Sequence, residues 1–455
     1  MTIAALLARF AATTRYEDIP PPVARYARYL MLDAVGVALA SSRFEFAQRA
    51  ALALRGLGEG THPVIGMPLK LALRDAALLN GTLVHGLDFD DTYLPGSMHL
   101  SASAVPCALL VGAAAAASGR DVLTALAIGM EASARIAAAG VGLFQQAGFH
   151  PTGVVGAFGC SLITTRLWQM SADQMVLAQG IALSTAAGSV QPMQDGTWTK
   201  RMHPGWAAAS AITAAAFARQ GYLSPQASYE GRFGLYQMFL GAHAAKANTA
   251  LVTDQLGTQG EFARTTIKLF PACHHVHAFM NAAIRIANEP AFAAGNVQSI
   301  TAVIAKECIP LVCEPVATKC APPDGYTAQF SLQYTVACSL LRRGFGLADL
   351  EEARLKDPAT LALAAKVGFE IDPNPGFPKS RSGELVIRLH DGTVLQRREN
   401  IMPDEPIAEE DIEAKFFRNA EMVLTRSRAE SIQAAILHLE DEPDVRRITQ
   451  LLAQQ

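Results

Sequence analysis

The chain has 455 residues, half of them hydrophobic and 17% charged. That is enough apolar material for a large core and, beyond ordinary usage, for a further buried surface such as a dimer interface. Basic and acidic residues number 38 and 41 with no basic block, so nucleic acid is not an expected partner.

Seven cysteines without CxxC spacing are no disulfide framework and fit a reducing cytoplasm. The first fifteen residues lack a basic region before their apolar run and make no signal peptide. The longest apolar run, 102–118, contains Pro106 and is shorter than the ~20 residues a membrane span needs, so it is expected as a buried helix. A length of this order divides into two or three domains.

In chain order, helices are expected at 3–13, 23–40, 46–57 and 71–86, from apolar residues near i, i+4 spacing. Two more follow at 104–118 and 122–139, broken at Gly119-Arg120-Asp121. The pair 152–170 and 172–189 precedes a helix at 204–219, and no strand is expected before about residue 260. Beyond Thr265 the character changes. A helix at 274–287 precedes a strand at 297–306 and a helix at 326–342. Two alternating runs over 384–398 flank Asp391-Gly392, a type I′ hairpin signature. Helices at 409–419, 427–439 and 445–452 close the chain. The expected fold is mainly α. A large all-helical domain, 1–266, is completed by 401–455, and a smaller α+β domain, 267–400, is inserted.

Four stretches carry candidate chemistry. In 85–106, Asp88, Asp90 and Asp91 fall within four positions, Thr92 follows, and a Pro95-Gly96 turn leads to His99, Ser101 and Ser103. Acids, a hydroxyl and an imidazole between two buried helices look like a site; an acidic helix end, a loop and a cap is the bland alternative. His150 precedes a helix start, where an imidazole can shift protons and helix amides can bind a carboxylate, or where it simply caps and packs. Lys200, Arg201 and His203 group cations that suit an anionic substrate, or lie in a solvated loop. Lys268, Cys273, His274, His275 and His277 gather where the second domain begins. Their i, i+2 histidines would diverge on a helix, so no metal is expected there. No GxGxxG, Walker A or GxSxG occurs, which leaves nucleotide cofactors and elbow-type hydrolases unsupported. Asp, His, Lys and Tyr remain. Such a set can remove a proton next to a carboxylate, hold the charge with lysines and protonate a leaving group.

LNGTLVHGLDFDDT, the downstream histidine, GFHPTGVVGAFG, TKRMHPGWAAASAITAAAFARQG, IKLFPAC and FSLQYTVACSLL occur in one order. Together they resemble the MmgE/PrpD family, which includes 2-methylcitrate dehydratase, cis-aconitate decarboxylase and iminodisuccinate epimerase. The resemblance implies a helical domain from both chain ends carrying an α+β lid, a homodimer and no cofactor. By motif position Asp88, His99, His150 and Lys200 are the implied catalytic residues. Thr92, Arg201, Lys268 and His274 are expected to hold substrate, and no metal ligand is implied. Two departures stand out. Leu100 follows His99 where the family commonly has proline, and Cys273, with His274 beside it, occupies the place of the decarboxylases' histidine. Tyr326 and Tyr334 both remain open as the lid tyrosine. The expected activity is a cofactor-independent, dehydratase-type lyase acting on a small di- or tricarboxylate, cytoplasmic and away from membranes. Racemase, epimerase or decarboxylase chemistry through the same enolate is the alternative, and a carboxylate-binding protein without turnover is a further one.

Overall fold

The computed structural model describes residues 1–258, 260–377, 379–402 and 407–453. The chain divides into two compact units: Met1–Ile267 with Pro406–Gln455, and Lys268–Glu405.

The first unit is mainly helical. Helices Leu100–Ala114 and Pro151–Leu167 are apolar on almost every face and almost wholly buried. Gly119–Ala139 is long and apolar enough to cross a membrane, yet 94% of that window is buried inside the protein, as in a core helix. Gly119 was expected to break a helix; instead it starts one. Ser118 caps it, its hydroxyl accepting from the Asp121 amide at 3.2 Å. Leu73–His85 and Thr199–Arg219 meet backbone to backbone: a Cβ on Gly205 would lie 1.9 Å from the Leu78 carbonyl oxygen. Only glycine allows that approach.

Three expectations need correction here. His62–Pro63 pairs antiparallel with Lys70–Leu71, so the unit is not purely helical; two-residue strands are too short to show alternation. The helix expected from 204 begins at Thr199. Pro204 lies inside it, so the missing N–H leaves the Lys200 carbonyl without its usual partner without breaking the helix. Likewise the helix expected from 104 begins at Leu100, with Pro106 inside. The C-terminal helix Glu409–Ala420 packs on Pro21–Ser41, where Phe416 lies against Gly36.

The second unit is built on a four-stranded mixed sheet. Val367–Ile371 runs parallel to Val297–Ile304 (Ile300 opposite Val367). The latter pairs antiparallel with Arg381–Leu389 (Ile300 opposite Ile387), and that strand with Val394–Ile401. Helices His277–Ala287 and Leu332–Arg342 pack in this unit, Phe279 and Ile286 joining Ile300, Leu385 and Ile387 in its core. The hairpin is where the sequence placed it, but its turn is not type I′. Gly392 alone of the pair has positive φ, +88°. Its amide donates to Leu389 O at 3.0 Å, and the Asp391 carboxylate accepts from the Thr393 amide at 2.9 Å. That is a type I turn closed by a left-handed glycine. The edge strand Val367–Ile371 was not expected; it is short, and Gly368 interrupts its apolar pattern. The helix expected over 326–342 is two, Gly325–Gln329 and Leu332–Arg342, because Ser331 caps the second through the Tyr334 amide at 2.9 Å.

Candidate active site

The Leu73–His85 helix ends on a buried histidine, and Gly86 turns the chain out of it. Asp88 then adopts φ +49°, a left-handed conformation that costs a non-glycine residue and often marks functional positions. Its amide donates to the His85 carbonyl at 3.1 Å. The next residue is held from far along the chain. The Lys415 ammonium donates to the Phe89 carbonyl at 2.7 Å, sits 3.9 Å from the Phe89 ring centre, and pairs with Asp33 at 2.6 Å. All of Lys415, Asp33, Asp90 and Asp91 are buried.

His99 caps the Leu100–Ala114 helix from outside. Its amide donates to the Thr152 hydroxyl at 3.1 Å, and its Nδ1 donates to the Asp91 carbonyl at 2.6 Å. A carbonyl can only accept, so Nδ1 carries a proton. Asp91 in turn receives the Ser101 hydroxyl and, at 3.1 Å, the Ser101 amide. These bonds hold the turn at His99–Ser101. Asp90 Oδ2 lies 2.8 Å from His85 Nδ1 and 3.6 Å from His99 Nδ1. His150 precedes Pro151–Leu167, its amide donating to Gly188 O at 2.9 Å and its Nδ1 lying 3.1 Å from His203 Nδ1. Ring centres of His85 lie 4.6 Å from His99 and 5.4 Å from His150. Lys200, in the first turn of Thr199–Arg219, reaches Asp88 at 3.3 Å.

Electrostatics follow from this crowding. Burial, then the Asp90 charge, pushes the Asp91 carboxyl up to about 7. Burial, reinforced by the Lys200 cation, holds His150 well below the ordinary imidazole value. Burial, with His85 and Lys200, brings His203 down to about 4. Both imidazoles are therefore neutral at neutral pH, and both can accept a proton or a hydrogen bond.

Asp88, His99, His150 and Lys200 are thus brought together within the first unit. Thr92 is beside them in sequence; it bridges to Thr266, and its buried hydroxyl makes no hydrogen bond among the described residues. Arg201 stacks over Phe46, 4.4 Å from the ring centre. Lys268 and His274 belong to the second unit, where both are buried. His274 Nδ1 has no hydrogen-bond partner among the described residues. Burial, then His277, Lys268 and Arg381, holds His274 well below its ordinary value. Tyr334 is a core residue whose hydroxyl donates to the Asp349 carbonyl at 2.7 Å. The sequence reading gave His85, Asp90, Asp33 and Lys415 no role. His85 and Asp90 flank Asp88 in the motif and could have been found there; Asp33 and Lys415 carry no local signal.

A metal was sought in the sequence around Cys273–His277, but the spacing for one occurs elsewhere. One ligand atom from each of His85, His99 and His150, or of His85, Asp88, Asp90 and His99, falls within 4.8 Å of the others. His85 and His99 already spend Nδ1 on protein oxygens, so Nε2 would be the donor in each.

A helical unit that gathers imidazoles, carboxylates and an ammonium ion in its interior, followed by a smaller mixed α/β unit, is an enzyme-like arrangement. Models of the MmgE/PrpD N-terminal and C-terminal domains match residues 5–248 and 270–441, and the chain belongs to the MmgE/PrpD family. It is 27% identical to human cis-aconitate decarboxylase over 86% of this chain and 81% of that one. It is 26% identical to a cis-aconitate decarboxylase-like protein of Aspergillus oryzae, over 99% and 97%. Against cis-aconitate decarboxylase of Aspergillus terreus the identity is 25%, over 99% and 96%.

Proposed function

We propose that the protein is a lyase for a small di- or tricarboxylate, working by proton transfer next to a carboxylate with its own side chains and no cofactor. The observation that carries this reading is the largely buried Lys200–Asp88 pair, 3.3 Å apart, in the same motif set as a His99 whose Nδ1 is tied to the Asp91 carbonyl. His99 takes the proton from the carbon beside the carboxylate. The electron pair moves into that carboxylate, and Lys200 with Arg201 stabilises the enolate charge more than the ground state. The pair then expels hydroxide, which leaves as water once an imidazolium protonates it. Thr92 donates its unused hydroxyl to the substrate.

Decarboxylation is the second reading, favoured by the names of the relatives. There the C–C bond breaks, carbon dioxide leaves, and the carbanion is protonated by the same imidazoles. Cys273 in place of the decarboxylases' histidine weighs for elimination. We place the protein in the cytoplasm on its seven cysteines, which form no disulfide. We assign it a homodimer on the exposed apolar face of Trp198, Met202 and Trp206.

Purified protein is incubated with a panel of di- and tricarboxylates, cis-aconitate included, in deuterium oxide and followed by NMR. Exchange with loss of water supports the dehydratase and release of carbon dioxide the decarboxylase. Exchange with inverted configuration replaces both by an epimerase, and silence across the panel sinks the reading. Activity is expected to survive exhaustive chelation; loss that zinc or iron restores would assign the ion spacing at His85, His99 and His150 to a metal.

A further inference from the structure

We infer that His85, oriented by Asp90, is a proton store behind His99 and His150; this rests on the lyase reading above. His85 is buried at the end of its helix, 1% exposed, and Asp90 is fully buried. The Asp90 carboxylate accepts from His85 Nδ1 at 2.8 Å, which selects, for the neutral ring, the tautomer with its proton on Nδ1. The ring's Nε2 is buried and has no hydrogen-bond partner among the described residues. A buried polar nitrogen left unpaired is an exception that a packing role does not explain. What surrounds it does. His99 on one helix, His150 on another, Lys200 and His203 on a third, and Asp88 and Asp91 in the acidic stretch face the same interior. One nitrogen from each of His85, His99 and His150 lies within 4.8 Å of the others, a gap that one water molecule bridges.

The proton is followed without any oxidant or reductant. His99 removes it from the substrate carbon on Nε2. His85 Nε2 accepts it through its ring lone pair, directly or over a water. The resulting imidazolium is held by the Asp90 carboxylate, whose same oxygen faces His99 Nδ1 at 3.6 Å. The proton returns by the same nitrogen to the departing hydroxyl; in decarboxylation no proton is taken from carbon, and His85 instead passes to the carbanion a proton it has taken up from water. His85 need not touch substrate; it is a positioning residue that acts through its neighbours.

Two variants separate the orienting bond from the titrating nitrogen. His85→Asn keeps an N–H for Asp90 but has no Nε2. Asp90→Asn keeps the shape but removes the charge that selects the tautomer. On whichever panel acid the wild type converts, both are expected to lower kcat by about 10²-fold or more, with KM changed less than about threefold and unaltered circular dichroism. Near-normal kcat in His85→Asn would make His85 structural and overturn the inference. A second readout needs neither substrate nor variant: nitrogen-15 NMR of histidine-labelled wild type should show His85 protonated on Nδ1 with Nε2 bare at neutral pH. A proton on Nε2, or a stoichiometric metal bound there, overturns it. If the wild type converts nothing, the lyase reading fails while the tautomer result still decides the dyad.

Discussion

Asp91 and His203 titrate in opposite senses over one span of pH. His203 stays neutral in the fold down to about 4, whereas a free imidazole takes a proton near 6.5. The unfolded chain therefore binds more protons in that window, and this contribution is lost as pH falls from 6.5 towards 4. Asp91 holds its proton up to about 7 against an ordinary 3.8, so the folded chain binds more. Its contribution is lost as pH rises from about 4 through 7. In the wild type the two slopes offset. Asp91→Asn removes only the second and can still accept from the Ser101 amide. The fall in Tm between pH 7 and pH 4.5 should then exceed that of the wild type by roughly 2 °C or more; equal falls would count against a raised Asp91 carboxyl. For turnover, His99→Ala, His150→Ala and Lys200→Ala should each lower kcat/KM by about 10²-fold or more while the protein stays folded. His438→Ala, 76% exposed at its side chain, should be near neutral. The gathering of Asp88, His99, His150 and Lys200 was legible because each sits in a motif that names it. His85 and Asp90 sit in the same motif but have no role assigned from sequence, because their meaning is a 2.8 Å contact rather than a residue type.

At the scale of elements, hydrophobic spacing located most helices, and the errors have local causes. Pro204 is read as a helix start although the helix runs through it, and the helix expected from 104, Pro106 inside it, already begins at Leu100. Strands of two residues fall below the length at which alternation shows, and Asp391-Gly392 signalled a hairpin but not its turn type. What no periodicity reveals is where helices touch. Gly205→Ala would force a Cβ to 1.9 Å from the Leu78 carbonyl oxygen, and backbone cannot yield there as a side chain can. The two helices that carry Lys200 and His85 would separate. Loss of about 1–3 kcal/mol in chemical denaturation is expected. A neutral Gly205→Ala would mean that the helices part without cost. Lys415→Met leaves Asp33 buried without its cation, at an expected cost of about 3–5 kcal/mol. Adding Asp33→Asn should recover part of that stability. Activity should not return with it, because the Phe89 carbonyl still lacks its donor. Full recovery of turnover would show that the pair does not position the acidic stretch.

For the whole molecule, light scattering at micromolar concentration should give about twice the 48.4 kDa chain mass. Trp198→Glu with Met202→Glu should shift that towards one chain mass; an unchanged dimer would place the interface elsewhere. The apolar excess was readable from composition; that Trp198, Met202 and Trp206 are exposed was not. The reach of Lys415 to Phe89 has a bearing on biosynthesis. The two residues are 326 positions apart. At about 5–20 residues per second, a ribosome leaves the acidic stretch without its anchor for roughly a quarter of a minute to a minute. Throughout that interval the nascent chain carries buried-type helices, an Asp33 without its cation and a Phe89 carbonyl without its donor. Chains that stall before residue 415 should accumulate as chaperone clients rather than as partly active enzyme, and ribosome-released, full-length chains should gain activity in one late step.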